Sequence, residues 1–303
     1  MPVSESQLRA DIVEVGRRLY ARGYTASNDG NISVRLGSDR LLMTPKGVCK
    51  GFMTPDMMCI TDVEGRKLQG ERDPSSEMLM HLEVYRERPD VQAVVHAHPP
   101  TATGFAVAGI PLDRAVLAEV LTTLGSIPIA AYATPSTKEL PEAVRKYIKA
   151  HDGMLLANHG ALTVGADLFG AYFKMETIEH FAKISLVARL LGRENLISRE
   201  EVDRLQQLRE SYGIKAPAPI CPEDEQVARA SANQLTCQVV QAPPGDGSRL
   251  IPDVTADGPP SLASNPGASY GARPPAPSEE PGEIRLTYRE LSALIEEAIR
   301  SLR

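Results

Sequence analysis

Two histidines, His96 and His98, follow directly on the apolar run 91–95. In a strand, residues i and i+2 point to the same face, so both imidazoles can converge on one point. Neutral imidazoles there suit zinc or a similar divalent metal, and a third protein ligand with an open fourth position makes such a site catalytic. The same spacing also fits an ordinary pair of surface or hydrogen-bonded histidines. His159 is a third candidate, since it ends another apolar run in Asn158-His159-Gly160, a segment that by itself also reads as a simple turn. His81 falls on a helix flank, His151 at a helix C-terminus and His180 inside a long helix, and none of these is expected to be a ligand.

A second cluster, Asp73-Pro74-Ser75-Ser76-Glu77, precedes a helical apolar pattern. Pro and Ser in that position mark a helix start, where either serine could simply act as the cap. Free N–H groups and hydroxyls there also suit an anion such as phosphate, helped by the helix dipole. Gly30-Asn31 and Lys46-Gly47 lie in turn sequences that could offer further donors to the same anion.

These residues must be positioned by the elements around them. Periodicity predicts a helix over about 5–22, then strand pieces near 31–35, 40–44 and 57–62. A helix at about 75–88, a strand at 91–97 and a helix at 100–108 follow. Strands are expected near 114–118 and 128–131, a helix at 137–151, strands at 153–158 and 161–165, and a long helix at 167–192. Strands and helices intermingle without a regular βαβ rhythm, which favours a sheet flanked by helices over a barrel.

The 303 residues carry 33 Lys+Arg against 39 Asp+Glu, a formal charge of −6, with 42% hydrophobic and 24% charged residues. That is ordinary globular usage, with enough apolar content for a core and the wrong charge for phosphate-driven nucleic-acid binding. No stretch is apolar enough to span a membrane, and the N-terminal segment is expected to be an amphipathic helix, not a signal peptide. Cys49, Cys59, Cys221 and Cys237 show no CxxC spacing and read as reduced thiols of a cytoplasmic protein.

Composition then divides the chain. Residues 1–215 are expected to form the catalytic domain, and 216–282 a largely disordered Pro/Gly-rich linker: segment 242–282 holds ten prolines and six glycines in 41 residues. Residues 283–303 are expected to be an amphipathic helix. Leu291, Leu294, Ile295, Ala298, Ile299 and Leu302 make one helical stripe, and Thr287 with Glu290 has capping-box form. Three Arg against three Glu on the other face give no basic bias for a membrane surface. A lone 17-residue helix cannot bury its stripe unaided, so it needs a partner. Docking on the parent domain and self-association both meet that need. The tethered terminal helix also resembles the encapsulation peptides of bacterial microcompartment enzymes, which attach cargo to shell or to other cargo.

Gly30-Asn31-Ile32-Ser33-Val34-Arg35, Thr44-Pro45-Lys46-Gly47, Pro74-Ser75-Ser76-Glu77, Val94-Val95-His96-Ala97-His98 and Asn158-His159-Gly160 occur in that order. Together they resemble the class II aldolase/adducin family and, within it, its fuculose phosphate aldolases, over about residues 5–215. The resemblance implies a three-layer α/β fold with a mainly antiparallel central sheet flanked by helices. It implies that His96, His98, His159 and Glu77 face one zinc ion per subunit, with Glu77 as general acid/base. Gly30, Asn31, Gly47, Ser75 and Ser76 would hold the phosphate of a phosphorylated sugar. Ser211-Tyr212-Gly213 is similar to a C-terminal segment whose tyrosine covers a neighbouring subunit's site in a homotetramer.

The implied reaction is cleavage of a ketose 1-phosphate to dihydroxyacetone phosphate and an aldehyde such as lactaldehyde, in the cytoplasm or the lumen of a microcompartment. Family aldolases place a proton-donating tyrosine in the segment that corresponds to 114–123; this chain has none there, and Glu119 is the ionisable residue on offer. Nearby, Tyr132-Ala133-Thr134 follows the family while Pro135 replaces an aromatic residue. The 4-epimerases of the family carry Asp where Glu77 stands. A sugar-acid phosphate decarboxylase, a dehydratase and a non-catalytic adducin-like scaffold are the other readings.

Overall fold

Alternation along the central strands sorts side chains into two layers. In β5 (Ala93–Ala97), Ala93, Val95 and Ala97 enter one apolar cluster while Val94 enters the other. The same parity runs through Ile32 and Val34 of β1 (Asn31–Leu36) and Leu42 of β2 (Arg40–Met43) on the first face. Leu41 and Met43 of β2 lie on the second. The computed structural model describes residues 3–212, 214 and 218–220.

Eight strands are present among the described residues. Besides β1, β2 and β5 these are β3 (Cys59–Asp62), β4 (Lys67–Gln69), β6 (Ile129–Ala130), β7 (Gly153–Leu156) and β8 (Gly160–Gly165). They form one sheet in the order β4-β3-β2-β1-β5-β8-β7-β6, antiparallel throughout except for the β6–β7 pair. Helices α1 (Glu5–Ala21), α3 (Pro100–Ala108) and α6 (Leu168–Leu190) cover the first face; α2 (Met78–Glu87) and α5 (Glu139–Ile148) cover the second. The expected three-layer architecture with a mainly antiparallel sheet is therefore the observed one. No described helix is long and apolar enough to cross a membrane.

Several local expectations change. Residues 114–118 form no strand; they lead into α4 (Ala118–Thr123), because Ala115 and Leu121 pack on Val202 of α7 (Arg199–Ser211), away from the sheet. Neither α7 nor β4 was anticipated, since α7 is dominated by charged residues and β4 is exposed at every position. Helix α2 begins at Met78, so neither Ser75 nor Ser76 is its cap; Glu77 holds the cap position and Ser75 Oγ accepts the Glu77 N–H. Apart from 218–220, the linker and terminal helix expected over 216–303 lie outside the described residues.

One buried ion cluster pins the strands that lead to the candidate site. Asp152, just before β7, accepts from the Arg88 guanidinium at 2.9 Å and from the Lys174 ammonium of α6, and its carbonyl accepts Val164 N–H of β8. Its side chain is 3% exposed, so removing it takes from buried Arg88 one of its two carboxylate partners and from Lys174 its carboxylate partner. Asp152→Ala is expected to lower the unfolding free energy by about 3 kcal/mol, and Asp152→Asn by less, read from urea midpoints.

Candidate metal centre

The register of the sheet brings the chemistry together. Asn31 of β1 pairs with His96 of β5, and His96 pairs with Leu162 of β8. Val94, His96 and Ser33 all belong to the face that α2 covers, so the side chains of α2 meet those of β1 and β5. His98 lies one step beyond β5, its N–H donating to Tyr24 O. His159 sits in the β7–β8 turn, where Asn158 takes a left-handed conformation with φ 56° that asparagine tolerates well. Gly160 follows, and a Cβ there would fall 2.6 Å from both Ala97 O and His98 Cδ2. Only glycine lets the turn deliver His159 beside His98.

The three imidazoles are mutual neighbours, with ring centroids 4.7 to 5.0 Å apart. Their candidate ligand atoms all lie within 4.8 Å of one another, and His96 Nε2 is 3.1 Å from His98 Nε2. Tetrahedral zinc with Zn–N near 2.05 Å places its nitrogens about 3.4 Å apart, so the spacing suits such an ion. Outer contacts orient two of the rings: His96 Nδ1–H donates to Ala161 O, and His98 Nδ1 lies 3.3 Å from the Asp29 carboxylate. Each arrangement leaves Nε2 for the centre, the usual second layer of a metal-binding histidine.

Glu77 closes the fourth side. Its carboxylate is 3.3 Å from His96 Nε2 and 3.1 Å from His159 Nε2. Burial alone would raise its pKa, but the facing imidazoles of His96 and His159 outweigh burial and hold the carboxyl well below the usual range. Burial and the neighbouring imidazoles push His98 down to about 4, whereas Glu77 overcomes burial at His96 and raises it. Buried Glu77 Oε1 and His159 Nδ1 accept or donate no hydrogen bond. Three convergent nitrogens, a carboxylate and orphaned polar atoms out of water fit a divalent cation.

The three segments expected to hold an anion are joined to one another by hydrogen bonds. Ile32 N–H donates to Thr44 Oγ1 and Thr44 N–H to Ile32 O, joining β1 to the turn after β2. Ser75 N–H donates to Thr44 O, and Lys46 N–H to Asp73 O, joining that turn to the start of α2. Gly30 and Asn31, at the start of β1, thus adjoin the turn that holds Gly47 and the segment of Ser75 and Ser76 that leads to Glu77. Gly30, with φ +73°, packs so tightly that a Cβ would meet His96 O at 2.8 Å. Asn31 also serves the metal side, since its Nδ2 donates to Glu77 Oε2 at 2.7 Å.

One residue here, Lys50, escaped the reading of the sequence, and His81 was read only as lying on a helix flank. Lys50 is 2% exposed and its ammonium donates to Asn28 O and Val48 O, tying the loop before β1 to the loop after Gly47. Burial pushes it down to about 8. His81 is fully buried against Asn31 and Ser33. A polar residue between the apolar Met80 and Leu82 of one helix was the available signal for His81; Lys50 left none. Other expected residues lie apart. Tyr212 is exposed after α7, and Glu119 of α4 lines a cavity with Tyr24, Thr101, His180 and Lys183 whose lining holds neither Glu77 nor the three histidines.

The pattern of the Class II Aldolase and Adducin N-terminal domain matches residues 10–186. The chain is 32% identical over 222 residues to the 5-methylthioribulose-1-phosphate/5-deoxyribulose-1-phosphate aldolase of Rhodospirillum rubrum, covering 73% of this chain and all of that one. It is 31% identical over 188 residues to the 3-oxo-tetronate 4-phosphate decarboxylase of Pectobacterium atrosepticum, covering 61% and 86%. A solved L-fuculose 1-phosphate aldolase superposes with a TM-score of 0.64 at 30% identity, covering 69% of this chain and 98% of that one. With the histidine–glutamate centre and the sheet that carries it, these matches establish that the chain belongs to the class II aldolase and adducin N-terminal domain family.

Proposed function

We propose that this protein is a zinc-dependent aldolase that cleaves a ketose 1-phosphate to dihydroxyacetone phosphate and an aldehyde such as lactaldehyde. The observation that carries the reading is the Glu77 carboxylate set against His96, His98 and His159. Zinc held by the three histidines would act as a Lewis acid for the negative charge that develops beside the breaking carbon–carbon bond. Glu77, held ionised in the same pocket, accepts and returns the proton that cleavage moves. Gly30, Asn31, Gly47, Ser75 and Ser76 grip the phosphate far from that bond and supply orientation. Relatives that act on 5-deoxyribulose 1-phosphate and L-fuculose phosphate support this substrate class.

A decarboxylase of a sugar-acid phosphate is the second reading. It is favoured by the lack of tyrosine in 114–123 and by the similarity to 3-oxo-tetronate 4-phosphate decarboxylases. The assembly in this proposal is a cytoplasmic homotetramer in which Tyr212, exposed on its own protomer, covers a neighbour's site. Segment 287–303 directs the enzyme to a microcompartment, where the reactive aldehyde is confined.

Zinc-loaded protein is expected to release dihydroxyacetone phosphate from L-fuculose, L-rhamnulose or 5-deoxyribulose 1-phosphate, and chelation to abolish it. Silence on all three with zinc bound, and carbon dioxide release from a 3-oxo sugar-acid phosphate, would transfer the assignment to decarboxylation. Glu77→Gln is expected to cut kcat by about 10²–10⁴-fold while the bound zinc, measured by elemental analysis, stays at one per subunit. A fluorescent protein fused to residues 284–303 is expected to concentrate in assembled shells; a diffuse signal rejects the targeting role.

A further inference from the structure

Behind Glu77 runs an unbroken line of buried polar groups. Asn31 Nδ2 donates to Glu77 Oε2, and Asn31 Oδ1 faces His81 Nε2. His81 Nδ1 lies 2.6 Å from Ser33 Oγ, which lies 2.9 Å from Tyr85 Oη. His81 and Ser33 are 0% exposed and Tyr85 5%. Asn31 and Ser33 come from one face of β1, and His81 and Tyr85 from successive turns of α2 at i and i+4, so two elements are enough to build the line.

The protons along it have one consistent placement. An ionised carboxylate only accepts, so it fixes the Asn31 amide with its NH2 toward Glu77 and its oxygen toward His81. That oxygen also only accepts, so His81 Nε2 must carry a hydrogen. Burial pushes His81 down to about 3, which keeps the ring neutral and leaves Nδ1 bare. Nδ1 then accepts from Ser33, and Ser33, its one proton spent, accepts from Tyr85. Every donor has one acceptor, running Tyr85 to Ser33 to His81 to Asn31 to Glu77.

We propose that His81 is a positioning residue: its Nε2-protonated ring locks the Asn31 amide, so that Asn31 anchors Glu77 Oε2 and leaves Oε1 to exchange protons with substrate. Oε1 is the oxygen that accepts no hydrogen bond and faces His159 Nε2. The last step rests on the role given to Glu77 above; the placement of protons does not.

The test has two arms on the full-length protein. Nitrogen-15 correlation spectra of the histidine rings are expected to show His81 as the Nε2–H tautomer in the wild type. Ser33→Ala, which removes the donor to Nδ1 but leaves Asn31 Oδ1 accepting at Nε2, is expected to keep that tautomer. In the second arm, His81→Leu is expected to lower kcat about 10–100-fold with KM within about two-fold. His81→Gln, whose amide can still donate to Asn31, is expected to recover most of that loss.

An Nδ1–H tautomer in the wild type overturns the proposal. So does a folded His81→Leu protein with unchanged kcat, or equal losses in the Leu and Gln variants. Should His81→Leu fail to fold, or the protein cleave none of the ketose phosphates, the tautomer spectra of wild type and Ser33→Ala decide alone. Failure of the aldolase reading is thereby kept separate from failure of this one.

Discussion

Three imidazole lone pairs and a carboxylate held within a few ångströms of one another and largely withdrawn from water repel and lose solvation unless something positive lies between them. The rest of the fold can be understood as the apparatus that enforces this arrangement. Sheet register sets Asn31 opposite His96, the left-handed Asn158 and side-chain-free Gly160 turn His159 back toward His98, and α2 is packed so that Glu77 stands at its start. Each constraint comes from a different pair of elements, so the centre exists only in the assembled sheet.

The convergence of His96 and His98 was legible because period-2 spacing after an apolar run carries geometry directly: the two had to share a face wherever the strand lay. The joining of His159 to them came only from the family resemblance, because it depends on β5 and β8 being neighbours in the sheet, a long-range pairing that no local pattern encodes. A sheet flanked by helices followed from intermingled strand and helix patterns, while its three layers and mainly antiparallel strands came from the family resemblance. Strand 114–118 was misread because its apolar residues serve a helix–helix contact with α7, and α7 itself was hidden by the sparse apolar positions of a mostly charged helix. Ser75 was expected as a possible cap, yet it lies two residues upstream of the cap position held by Glu77, whose N–H its hydroxyl accepts, a distinction that composition cannot resolve. Lys50 was invisible for another reason: a buried lysine contacting two backbone carbonyls has no sequence signature.

Under the proposed function, three histidines on a metal ion and a bound phosphate do not by themselves choose between breaking a carbon–carbon bond and losing a carboxylate. Both reactions develop negative charge next to a carbonyl, and both profit from the same Lewis acid and the same anchored phosphate. What separates them is which group can deliver a proton on the far side of the substrate. In this chain segment 114–123 lacks tyrosine and is built into α4 and its approach, packed on α7. In this chain the segment without tyrosine thus belongs to the helical layer around α4, while the three histidines are presented by the sheet and its β7–β8 turn.

The turn that carries His159 has a consequence for folding as well as for chemistry. It joins β7 to β8, and β8 is the partner of β5, which presents His96 and leads to His98. A cation bound by all three histidines is thus a non-covalent cross-link between the middle of the sheet and its neighbouring hairpin, available only to the native chain. By mass action it adds RT ln(1 + [M]/Kd) to the stability, about 2.7 kcal/mol when the free ion is at a hundred times its dissociation constant. Metal supply would then govern how long the folded protein survives in the cell, in addition to how fast it turns over.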